Sequence, residues 1–69
     1  MNKNEITQLI GKFGLIRTSG EFAKSIYGTI RETDILYNIW FVDNDDIGYL
    51  FKLKDVISFE EKELKKTLI

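Results

Sequence analysis

The chain reads as a small, mainly β protein: a five-stranded antiparallel barrel with a short N-terminal α-helix, forming one domain over residues 1–69. Three observations predict this. From Phe13 to Phe59 apolar residues recur with period two, the spacing that sends alternate side chains to opposite faces of a strand. Gly, Asp and Asn break that alternation at short intervals, as tight turns require. Only residues 4–13 follow the helical period instead.

Ile6, Leu9, Ile10 and Phe13 fall at i, i+3, i+4 and i+7 and make one apolar stripe. Asn4 is positioned to cap the helix, Glu5 suits the positive end of its dipole, and Gly11 and Gly14 mark its end. So short a helix needs something to pack on, and the open end of a barrel is the natural place. Phe13–Thr18 reads as the first strand, closed by a turn at Ser19-Gly20-Glu21. From Ser25 to Thr33, Ile26, Gly28 and Ile30 alternate with Tyr27, Thr29 and Arg31, with Gly28 placed for sharp bending or close backbone approach. Asp34 to Asn38 carries turn chemistry, and the alternation from Ile35 to Val42 sets Ile35, Tyr37, Ile39 and Phe41 against Leu36, Asn38, Trp40 and Val42. Apolar residues on both faces argue for an internal strand or for a face that meets another subunit. Asp43-Asn44-Asp45-Asp46 is a turn, Ile47–Lys54 a fourth strand, Lys54-Asp55 a break, and Val56–Phe59 a last strand. The charged segment 60–69 reads as a short helix or a frayed end, with Glu61 and Lys65, and Leu64 and Leu68, spaced i, i+4.

Composition narrows the chemistry. The chain has no Cys and no His, which removes disulfides, thiolate metal sites and the usual general base at neutral pH. With 43% hydrophobic and 13% aromatic residues, so small a domain draws its stability from dense packing or self-association. No apolar run reaches the roughly 18–20 residues of a membrane span, and residues 1–5 lack a signal-peptide core, so a cytoplasmic protein is expected. Net charge is +3 over residues 1–31, −5 over 32–51 and +1 over 52–69. No strongly basic footprint of a nucleic-acid binder is present.

The acidic turn fails as a calcium loop. Counting from Asp43, the fifth position is Ile47, and Lys54 stands where a bidentate Glu is needed. No phosphate-cradling glycine loop occurs, and Ser, Thr or Lys would have to act without a His or Cys partner. The protein is therefore expected to bind rather than catalyse, with neither metal nor cofactor. Aromatics on strands (Tyr27, Tyr37, Trp40 and Tyr49) could stack on bases or cover the core, with Phe13, Phe41, Phe51 and Phe59 as the core set.

The pattern Gly28-x-Ile30-x3-Asp34-x2-Tyr37-Asn38-x2-Phe41 resembles the first signature of the Sm-like small β-barrel family. Phe51-Lys52-Leu53-Lys54-Asp55-Val56-Ile57-Ser58-Phe59 is similar to its second, and the helix precedes them as in that family. The resemblance implies a five-stranded bent barrel assembling edge to edge into a homo-oligomeric ring that binds single-stranded RNA or a small nucleotide. By position, Asn38 would hydrogen-bond a base, Asp34 would order its loop, and Lys52 would supply the basic rim. Tyr37 and Lys54 complete the implied ligand-binding set. Leu36 occupies the family's usual stacking position and Leu53 its second-signature glycine. An SH3-like barrel has the same short-strand grammar. The alternative function is a protein-interaction module, for instance a phage-encoded inhibitor of host defence that blocks a protein or sequesters a signalling nucleotide.

Overall fold

The computed structural model describes residues 1–21 and 23–63. It is mainly β. Helix α1 (Lys3–Gln8) is followed by β1 (Phe13–Thr18), β2 (Ser25–Thr33), β3 (Ile39–Asp43), β4 (Gly48–Phe51), a 3₁₀ turn at Leu53–Asp55, and β5 (Val56–Glu61). The strands form one antiparallel sheet in the order β4-β3-β2-β1-β5.

That order forces the sheet to curl. Five flat strands spaced about 4.8 Å apart would hold the two edges roughly 19 Å from each other. The link from Phe51 to Val56 contains the three-residue 3₁₀ turn, which rises only about 2 Å per residue, so its reach is nearer 13 Å. Glycines permit the bend: Gly14 and Gly28 face each other across β1 and β2. A Cβ on Gly28 would strike the Val42 carbonyl and sit 2.8 Å from the Asp43 Cα; one on Gly14 would strike the Glu60 carbonyl. Irregularities at Arg17/Thr18 and Ile30/Glu32 add further curvature.

The inner face carries the core, made of Ile16 from β1, Ile30 from β2, Ile39 and Phe41 from β3, Val56 from β5, and Ile6 from α1. The period-two reading of the strands thus places Ile30, Ile39 and Phe41 correctly on one face, and β3 is internal to the sheet as expected. Among the described residues Thr18 is the buried polar one, and its Oγ1 accepts the Lys24 N–H at 3.0 Å.

Several boundaries differ from the sequence expectations. The helix is capped by Asn2, not Asn4. Asn2 accepts the Glu5 N–H at 2.8 Å while Glu5 accepts the Asn2 N–H at 3.1 Å, a reciprocal capping box. It ends at Gln8 rather than near residue 13, because Gly11 takes a positive φ of 87° and joins β2 through its N–H to the Ile30 carbonyl. Ile6 and Leu9 pack inward, whereas Ile10 is exposed and Phe13 belongs to β1, outside the core. Gly14 lies within β1 and ends no helix. Ile35, Leu36 and Tyr37 lie in a turn rather than in β3; β4 stops at Phe51, and β5 runs on to Glu61. The spacings proposed for Leu64 with Leu68 and for Glu61 with Lys65 reach outside the described residues.

Candidate binding surface

The two turns that flank β3 share one construction. In the first, the Asp34 N–H donates to the Asn38 carbonyl and the Tyr37 N–H to the Asp34 carbonyl, while Asp34 Oδ1 accepts the N–H groups of Leu36 and Asn38, both at 2.9 Å. In the second, Asp43 does the same for Ile47, Asp46 and Asp45. The fourth residue of each, Tyr37 at φ 61° and Asp46 at φ 65°, is left-handed. Each Asp therefore satisfies the turn's own backbone donors, which is why an aspartate opens each. The second carboxylate oxygen also has a partner: Asn38 Nδ2 on Asp34 at 2.9 Å, and the Tyr49 hydroxyl on Asp43 at 3.1 Å.

These bonds set the electrostatics. Bonds from the Asn38 side chain and backbone, then from the Leu36 N–H, hold the Asp34 carboxyl below the ordinary carboxylate range. The Ile47 N–H, then Asp45 and Tyr49, do so for Asp43. Conversely, the bond to Asp43, burial, and the charges of Asp43 and Asp45 push the Tyr49 hydroxyl up.

The residues expected to form a ligand site divide accordingly. Asp34 orders its turn. Asn38 gives Nδ2 to Asp34, leaving Oδ1 without a hydrogen bond among the described residues. Tyr37 packs against the core and lies under Lys3, whose Nζ is 4.9 Å from the ring centroid. The ring is half-buried there. The β3–β4 register ends on Ile39 opposite Phe51, which makes Asn38 and Lys52 the next residues along. Lys54 is exposed on the 3₁₀ turn, one turn position further. Tyr49 is half-buried, stacked on Phe51 and approached by Lys24 at 6.0 Å. No concave pocket and no cluster of three metal-ligating side chains occurs among the described residues.

The outer sheet face offers a different surface. Register places Phe13 and Leu15 of β1, Tyr27 and Thr29 of β2, Trp40 and Val42 of β3, and Leu50 of β4 on the side away from the core. Tyr27 stacks on Phe13 at 6.4 Å between centroids. The Trp40 indole lies over Gly48, where any Cβ would strike it. Tyr27 is 50%, Trp40 40% and Leu50 65% exposed. Glu32 pairs with Trp40 on this face, Glu60 pairs with Leu15, and the Asp43–Asp46 turn adjoins the Val42–Gly48 end. Arg17, Lys62 and, two residues beyond Leu50, the exposed Lys52 are the cations beside it, and Lys62 is bonded to Glu60 at 2.7 Å. The sequence signal for this band was the apolar content of both faces between residues 35 and 42. Phe13, Leu15, Tyr27 and Leu50 join it only through strand pairing.

No protein-family model, curated protein or solved structure matches this chain.

Proposed function

We propose that the protein is a non-catalytic interaction module that docks through the outer face of its sheet onto another protein, on an apolar patch rimmed by basic residues. The observation that carries this reading is the band Phe13, Leu15, Tyr27, Trp40, Val42 and Leu50, bordered mainly by carboxylates. Contiguous exposed apolar surface with aromatics is the usual ground for protein contact. A phosphate-bearing strand is disfavoured there because the carboxylates of Glu32, Glu60 and the Asp43–Asp46 turn outnumber the cations Arg17, Lys52 and Lys62 around the rings.

Single-stranded RNA or a small nucleotide at Asp34, Tyr37, Asn38, Lys52 and Lys54 is the second reading. Its support is the free Oδ1 of Asn38 and the placement of Lys52 next in register. Affinity capture with the protein as bait, followed by the variants Trp40→Ala and Asn38→Ala, separates the two. Protein docking predicts a stoichiometric protein partner retained in high salt, lost with Trp40→Ala and kept with Asn38→Ala. Saturable binding of a uridine-rich oligonucleotide, steeply salt-dependent and lost with Asn38→Ala, would overturn it.

A further inference from the structure

The two sheet edges differ in chemistry. The β5 edge is irregular, with its register shifted at Arg17/Thr18, and it ends in Glu60, Glu61 and Lys62. Bulges and charges are what natural sheets use to refuse a further strand. The β4 edge has neither. Ile47 to Phe51 holds no charged residue, the β3–β4 register is regular, and no strand among the described residues pairs with its outer side.

Which groups face outward follows from the turn. The Asp43 N–H donates to the Ile47 carbonyl at 3.0 Å, so that pair is hydrogen-bonded. Antiparallel pairs alternate, so Tyr49 and Phe51 bond inward to Phe41 and Ile39, and Gly48 and Leu50 aim their N–H and C=O groups away from the sheet. Leu50 and Ile47 are also more than half exposed.

The flanks of β4 name the occupant. Asp45 and Asp46 precede the strand, and Lys52 and Lys54 follow it. We propose that β4 pairs antiparallel with β4 of a second copy of this chain about a two-fold axis, forming a dimer with one continuous sheet. Antiparallel self-pairing sets the acidic end of each strand beside the basic end of the other. Two registers keep like faces together, with Tyr49 opposite Tyr49 or Leu50 opposite Leu50; they put Asp46 across from Lys52 or Lys54 of the second copy. A head-to-tail β4-to-β5 contact would instead meet the irregular, charged edge. This inference is independent of what the outer face binds.

Sedimentation velocity at about 100 µM protein tests it with the full chain. A dimer is expected, and Leu50→Pro should be monomeric, its affinity weakened at least roughly a hundredfold, because the ring removes an outward N–H that no internal bond uses. Salt of about 1 M, where the screening length is roughly 3 Å, should loosen the wild-type dimer. Should Leu50→Pro fail to fold, amide exchange on the wild type decides. Gly48 and Leu50 should be protected at high concentration and exchange freely on dilution. A wild-type monomer, an assembly larger than a dimer, a dimer surviving Leu50→Pro, or concentration-independent exchange would each overturn the proposal.

Discussion

At the scale of single residues, the matched turns around β3 make opposed predictions from the same backbone strain. A left-handed non-glycine residue costs on the order of 1 kcal/mol. Asp46 is exposed, so Asp46→Gly should raise stability by about 0.5–1 kcal/mol in urea denaturation. Tyr37→Gly relieves the same strain but loses the ring's core contacts and Lys3, and should lower it. The two aspartates also predict an acid response. Because bonds depress both folded-state carboxyls, their charged forms stabilise the fold above about pH 4, and this stabilisation is lost as pH falls through the folded-state values. The thermal midpoint should therefore drop below about pH 4. Replacing both, as Asp34→Asn with Asp43→Asn, should flatten that drop; an unchanged acid slope would contradict the assignment. Tyr49 works in the other direction, its contribution fading as pH climbs past about 10.

At the scale of elements, close backbone approach and capping decide. In Gly28→Ala the new methyl meets backbone atoms of β3, which cannot rotate aside. A loss of about 2–3 kcal/mol is expected by chemical denaturation. Asn2→Ala removes half of the capping box and should cost about 1 kcal/mol, read as faster amide exchange in α1. These elements were unequally legible in the sequence. The inward positions of β2 and β3 followed from alternation, since Ile30, Ile39 and Phe41 have no other way to bury. Asn2 and Asn4 offer the same capping chemistry, and only Glu5 three residues on distinguishes Asn2. Ile35 and Leu36 continued the apolar alternation and passed for strand, yet they are 92% and 77% exposed at a turn tip. The Asp34-to-Asn38 turn read from the sequence is present, and its aspartate bonds push the start of β3 back to Ile39.

At the scale of the whole molecule, a sheet curled over so few core side chains leaves its second face apolar. That face was half legible: two-sided hydrophobicity was visible around Trp40, but pairing of distant strands was needed to join Leu15, Tyr27 and Leu50 to it. The site inferred from the Sm-like resemblance was legible as a pattern. Asp34 orders its turn, as the resemblance implies, and Asn38 gives its Nδ2 to Asp34 while its Oδ1 has no hydrogen bond among the described residues. On the docking proposal the outer face, and not the Asp34–Asn38 turn, is what binds. The most direct measurement is the affinity of the captured partner for the wild type, Trp40→Ala, Tyr27→Ala and Asn38→Ala, each confirmed folded. Loss of at least about tenfold (some 1.4 kcal/mol) in both outer-face variants, with Asn38→Ala unchanged, is the predicted result. Full affinity in the outer-face variants with loss in Asn38→Ala would contradict docking through this face.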